Sequence, residues 1–332
     1  AEQDFRPKSC CSLDEAMDAR AVCHRLEIPF YVLDVQEEFR SEVIDYFIRE
    51  YQDGRTPNPC VMCNRTIKSR YLLEKADELD CELLATGHYA RSQQGADSGG
   101  WALARPADLR KDQTYFLWGV ERESLPRLCF PLADHVKPQV RRMASELDFA
   151  AADKPDSQEV CFVPRDYRQF LAAELPETPE PGEFVDTEGK VLGAHQGLPY
   201  YTVGQRRGLG IAVPEPLYVV RLEPDTRRVV AGPKEALLKD RFRVGGINWL
   251  GDGDGLPGDL EVTVKIRSAA APVAATIKAR PENGDGNENG EGAEVHLHRA
   301  EAAIAPGQAC VFYDQDRVLG GGWIRRDDAR PL

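Results

Sequence analysis

Cys60 and Cys63 stand in a C-x-x-C spacing inside Thr56–Lys68, TPNPCVMCNRTIK. Pro57 and Pro59 bracket Asn58. Each proline fixes its own φ and pushes the residue before it out of the helical region, so the stretch reads as a stiff, extended loop. A helix-like pattern begins right after the cysteines. The partial positive charge at a helix start lowers the pKa of a nearby thiol and raises its thiolate fraction. Thiol chemistry is one reading of this loop; a loop with two small buried cysteines is the other.

Four further stretches carry groups that do chemistry. Ala85–Arg91 (ATGHYAR) sets Gly87 and His88 at the end of an apolar run, where a glycine lets a ligand approach the backbone; a packed polar histidine is the alternative. Lys111, Asp112 and Gln113 are suited to a phosphate or a base, or else form a solvated charged turn. Cys161 in SQEVCF is a third thiol, or a buried small hydrophobe. Gly197–Ile211 (GLPYYTVGQRRGLGI) has four glycines and the pair Arg206–Arg207. Arginines grip phosphates bidentately; a structural hairpin would use the glycines equally well.

The elements that must position these groups follow from pattern. Ser12–Glu15 has capping-box form and opens a helix with Ala16, Ala19, Cys23 and Leu26 at helical spacing. Phe30–Val35 reads as a buried strand, Glu38–Tyr51 as an amphipathic helix, roughly Ile67–Leu79 as a helix, and Glu82–Gly87 as a strand. This βαβα rhythm implies a parallel sheet with helices on its faces and ligands at the carboxyl ends of the strands. Lys137–Leu147 reads as a helix, and Cys161 falls on an expected strand. Pro176–Glu183 reads as a linker. Beyond it come short apolar runs separated by turns: Phe184–Val191, Leu217–Leu222, Arg228–Gly232, Val262–Arg267, Val273–Lys278, Gln308–Tyr313 and Val318–Ile324. They suggest a C-terminal β-barrel. Pro281–Glu294 is acidic and of low complexity, and reads as a disordered hairpin loop.

Composition bounds the rest. The chain has 332 residues and 42% hydrophobic content, enough for two or three domains with real cores. No apolar run reaches the roughly 18–20 residues of a membrane span, and no export signal is visible, so the expected setting is the reducing cytoplasm. Nine cysteines, an odd number, are not spaced as a disulfide framework. The net charge of −13 argues mildly against nucleic acid, but basic pairs inside glycine-rich loops leave room for a basic face.

Taken in order, CCSLDEAMDAR, RTPNPCVMCNRTIK, ATGHYAR, KDQTYFLWG, SQEVCFV, GLPYYTVGQRRGLGI, PGQACVFYD and VLGGGWI resemble the tRNA-specific 2-thiouridylase family of PP-loop ATP pyrophosphatases, from about Lys8 to Ile324. The resemblance implies an α/β nucleotide-binding domain over 1–165, a small central domain over 166–236 and a C-terminal antiparallel β-barrel over 237–332. It implies 2-thiolation of the wobble uridine in tRNAs for Lys, Glu and Gln. ATP with Mg2+ would adenylate the C2 oxygen, and sulfur would arrive as a persulfide from a cysteine desulfurase relay. By motif position Cys161 holds the persulfide, and Cys63 is the nucleophile that pairs with it as sulfur is released. Asn58, Pro59 and Cys60 meet the target base. Gly87 contacts ATP. His88, Lys111, Asp112, Gln113, Arg267, Ser268 and Gln308 contact tRNA. The chemistry agrees: a carbonyl oxygen leaves poorly until adenylated, and a second thiol must take up the S–S bond.

Two departures qualify the resemblance. The family's first strand and its S-G-G-x-D-S phosphate loop do not occur among these residues, which fits an N-terminal truncation or a non-catalytic tRNA-binding relic. Some members carry Asp where Cys60 stands. With Cys63 and Cys161, Cys60 gives three thiols, enough for three corners of a [4Fe-4S] cluster as an alternative sulfur carrier.

Overall fold

The structure is a computed structural model, and it describes residues 13–95, 100–149, 152, 160–163, 166–211, 213–281 and 291–327. A helix over Leu13–Arg25 opens the described chain; the Ser12 capping box and most of the 281–294 loop lie outside the described residues. The 36–52 helix follows, with a π-type segment at Arg40–Ile44. Its buried side chains, Val43, Phe47, Ile48 and Tyr51, fall on one helical face.

A second long helix covers residues 59–78. It starts earlier than the sequence pattern indicates. Pro59 takes the first helical position, where its missing N–H costs nothing. Only Asn58 and the residues before it stay extended, so Cys60 and Cys63 ride inside the opening turns. From Cys63 to Tyr71 the helix has π geometry. The Ser69 hydroxyl lies 2.7 Å from the Asn64 carbonyl and 2.8 Å from that of Arg65, and the Asn64 amide donates to the Phe116 carbonyl at 3.1 Å.

The N-terminal parallel sheet is short among the described residues: β1 (Leu84–Ala85) pairs with β4 (Leu128–Cys129). Phe30–Val35 is a correction. It forms no strand and pairs with no described strand, and Tyr31 and Val32 are exposed, Val32 at 76%. Apolar, β-prone residues make a strand only where a neighbouring strand and a packed face receive them. Cys161 also departs from expectation: it sits in a turn. β2 (Arg91–Gln94) and β3 (Trp101–Ala104) form a hairpin.

The central unit is a four-stranded sheet of β5 (Gly182–Val185), β6 (Val191–His195), β7 (Tyr218–Glu223) and β8 (Arg228–Gly232), in the order β6-β5-β8-β7. Its core joins Phe184, Val219 and Val229 to Leu198, Tyr201 and Leu209 of the glycine-rich loop.

Six strands close the C-terminal barrel: β9 (Leu238–Trp249), β10 (Asp259–Lys265), β11 (Val273–Pro281), β12 (Glu291–Ala302), β13 (Ala309–Asp314) and β14 (Arg317–Ile324). The β2–β3 hairpin extends this sheet by pairing β3 with β14. β13 explains why. Cys310 and Phe312 fill the barrel, while Ala309, Val311 and Tyr313 point outward into a second core with Val61, Tyr115, Trp118 and Leu125. A strand buried on both faces reads as one unbroken apolar run, and ACVFY is such a run. The N-terminal region and the barrel therefore share one core. Gly321 of β14 permits the contact, since a Cβ there would lie 2.9 Å from the Trp118 ring; its neighbour Gly320 (φ +129°) instead lets β14 approach β9, a Cβ there coming 2.1 Å from the Asn248 carbonyl.

Candidate active site

The loop leading into the 59–78 helix is held from the barrel side. The Thr56 N–H donates to the Pro306 carbonyl at 2.7 Å. The Gln308 amide donates to the carbonyls of Thr56 at 3.1 Å and Pro57 at 2.9 Å. Tyr115, fully buried, donates its hydroxyl to the Ala309 carbonyl at 2.9 Å and lies beside the Asn58 side chain. Asn58 and Pro59 are buried; Cys60 is exposed and Cys63 half-buried.

Both expected thiol segments rest on the 36–52 helix. The 59–78 helix packs against its first turns. Phe162, next in chain to Cys161, makes edge contacts with Phe39 and Phe47 at 5.8 and 5.1 Å between ring centres. Cys161 is half-buried. Among the described residues no three His, Cys, Asp or Glu side chains are grouped to hold a metal ion, so Cys60, Cys63 and Cys161 form no ready cluster site.

At the carboxyl end of β1, Gly87 is exposed, and a Cβ built there would meet nothing within 4 Å. That open backbone admits a ligand. His88 is half-buried, with its Nδ1 2.8 Å from the Thr86 hydroxyl. Burial first, and the Lys68 ammonium second, push its pKa down to about 4. The imidazole is therefore neutral near pH 7, with the Lys68 ammonium of the cysteine helix disfavouring its protonation.

The KDQ triplet divides. The Asp112 carboxylate is 2% exposed and takes hydrogen bonds from the Arg105 guanidinium at 2.9 Å and from the Thr114 N–H and hydroxyl at 2.9 and 2.6 Å. The Gln113 oxygen accepts from the Tyr89 N–H at 2.8 Å, and its own N–H donates to the Tyr89 carbonyl at 3.0 Å. Gln113 thus braces the His88 loop through Tyr89, Asp112 is taken up by Arg105 and Thr114, and Lys111 is the half-buried member beside them. Arg267 and Ser268 sit exposed in the β10–β11 turn, and Arg206 and Arg207 are exposed in the glycine-rich loop. Sequence reasoning missed Thr56, Tyr115, Gly307 and Lys68. All four lie inside the quoted motifs, but what each of them touches depends on contacts that form only on folding.

Three family models cover the chain in succession: a tRNA methyl transferase HUP domain over residues 1–165, a tRNA methyl transferase PRC-barrel domain over 168–233 and an aminomethyltransferase beta-barrel domain over 239–324. Curated relatives match across all three. A tRNA-specific 2-thiouridylase MnmA of Methylobacterium radiotolerans is 48% identical over 330 residues, 98% of this chain and 84% of the relative. The MnmA of Rhodopseudomonas palustris is 49% identical over 332 residues, covering 98% and 81%, and that of Chloroflexus aggregans 47% over 329, covering 98% and 89%. The chain belongs to the tRNA-specific 2-thiouridylase family. The family models speak of methyl transfer in their descriptions, whereas the 2-thiouridylase relatives match this chain nearly end to end. The barrel, the central sheet and the N-terminal domain are those of a 2-thiouridylase.

Proposed function

We propose that this chain replaces the C2 oxygen of the wobble uridine of tRNA with sulfur, in tRNAs for Lys, Glu and Gln. The observation that supports it most is the thiol-bearing turn: Cys63 at the start of a helix, its entry loop fastened by the barrel, on the same supporting helix that receives the Cys161 segment. Relatives of which this chain spans about four fifths, all named tRNA-specific 2-thiouridylase, point the same way.

The C2 oxygen attacks the α-phosphorus of ATP bound beside Gly87, pyrophosphate leaves, and the oxygen becomes part of a leaving AMP. A persulfide on Cys161, loaded by a cysteine desulfurase relay, attacks C2 through its outer sulfur. AMP leaves with the oxygen, and the base is joined to Cys161 through an S–S bond. The Cys63 thiolate then attacks the Cys161 sulfur. The S–S bond to the base breaks, its electron pair stays on the sulfur at C2, and a Cys63–Cys161 disulfide forms. An external thiol reduces that disulfide before the next turnover. Cys60, exposed one helical turn before Cys63, faces the side from which an everted base arrives. A neutral His88 adds no charge there, and Lys111, Arg267, Ser268 and the Arg206–Arg207 pair meet the tRNA backbone. Gln308 also stands at this surface.

Substituting Cys161→Ser or Cys63→Ser abolishes 2-thiouridine formation while tRNA binding stays at the parent level. Nucleoside mass spectrometry of tRNA incubated with ATP and a persulfide donor reads the first quantity, and separates sulfur exchange from methyl addition; filter binding reads the second. Retained 2-thiouridine in the Cys161 variant would sink the reading.

A further inference from the structure

Pro57 and Pro59 leave the thiol loop short of N–H groups, so its carbonyls must find donors elsewhere. The barrel supplies them. Gln308, in the turn between β12 and β13, places one side-chain nitrogen 3.1 Å from the Thr56 oxygen and 2.9 Å from the Pro57 oxygen. Two residues earlier, the Pro306 carbonyl takes the Thr56 N–H at 2.7 Å. Gly307 lies between them at φ +89°, a left-handed conformation that suits glycine. A Cβ there would come within 2.8 Å of the Thr56 oxygen and 2.9 Å of the Thr56 nitrogen, so the two backbones touch with no side chain between. One residue later, the Ala309 carbonyl receives the Tyr115 hydroxyl next to Asn58. Within residues 306–309, Pro306 and Gln308 thus hold Thr56 and Pro57 directly, Gly307 lies against Arg55 and Thr56, and Ala309 reaches the loop through Tyr115 beside Asn58.

We propose that residues 306–309 are a clamp by which the barrel sets the position of Cys60 and Cys63, and that Gln308 is its positioning residue. This role is separate from any contact of Gln308 with tRNA. It rests on the reading that these thiols handle sulfur. A turn whose carbonyls are tied to the barrel cannot swing independently of it, so tRNA seated on the barrel and thiols aimed at its base keep one frame of reference. Misplacing reacting atoms by even an ångström costs large factors in rate.

The test compares the full chain with Gln308→Met, which keeps bulk but loses the donor, and Gln308→Glu, which sets a carboxylate against two carbonyls. Iodoacetamide labelling with peptide mapping reads the thiols one by one, with exposed Cys81 as the internal control. In both variants the Cys60 and Cys63 labelling rates change by about threefold or more while Cys81 holds constant. Thiolation kcat falls roughly tenfold or more. Labelling equal to the parent at both thiols would overturn the clamp. So would a raised KM at constant kcat, which marks Gln308 as a tRNA contact and nothing more. The labelling arm needs no turnover. A parent chain that makes no 2-thiouridine would therefore remove the sulfur reading and leave the clamp to be decided by labelling alone.

Discussion

His88 shows how a single residue can be recognised in sequence and still be misjudged in its chemistry. Its place after Gly87 marks it, but nothing in ATGHYAR shows that burial, helped by Lys68 twenty residues upstream, keeps it neutral. The consequence is a pH dependence. An unfolded histidine takes up a proton near pH 6.5, whereas His88 in the fold does so only at about 4. Between those values the unfolded chain binds more protons, so stability falls as pH drops through the window and is fully present above it. Urea midpoints at pH 7 and pH 5 will differ more for the parent than for His88→Gln. Equal differences would mean that the imidazole is solvated like any other. Asp112 and Gln113 carry the same lesson. The motif shows them, but Arg105, Thr114 and Tyr89, which take up their side chains, cannot be paired with them before folding.

Among elements, the amphipathic 36–52 helix was legible because its buried residues repeat at helical spacing. The π geometry of Cys63–Tyr71 was not, because apolar periodicity hardly changes when a helix widens locally; such segments gather at functional sites. β9 and β12 escaped the sequence reading for a different reason. LKDRFRVGGINW and EGAEVHLHRAEA carry their charges on the outer face, and a mean over the window looks polar, yet Phe242, Val244, Val295 and Leu297 fill the barrel. Phe30–Val35 failed in the opposite sense: it has the composition of a strand without a described partner. Asn248 on β9 offers a test of how elements are joined. Its amide donates to the carbonyls of Trp118 at 2.6 Å and Val120 at 2.8 Å. Asn248→Ala strands both, and chemical denaturation should show a loss of about 1–3 kcal/mol. A loss within experimental scatter would mean that water replaces the amide.

At the scale of the molecule, sequence divides the chain into three stretches, and the structure fuses the first with the last. Val61, Leu73, Tyr115 and Trp118 share a core with Leu250, Val311 and Val318. Composition cannot reveal which apolar faces meet, so this was invisible beforehand. It follows that the cysteine helix and the barrel lose structure together on heating. Hydrogen exchange near the melting midpoint will show β13 and the 59–78 helix opening in one cooperative step, and separate steps would refute the shared core. The glycine run of β14 gives that fusion its tolerance. Gly321 lies bare beneath the Trp118 ring, and Gly119, next along, would carry a Cβ only 3.3 Å from Val61, the residue between the two thiols' turns. Barrel wall, indole, glycine and valine thus follow one another toward the helix that carries Cys60 and Cys63. A single added carbon at Gly321 would act as a shim, pushing the indole and, through it, the start of the cysteine helix away from the barrel.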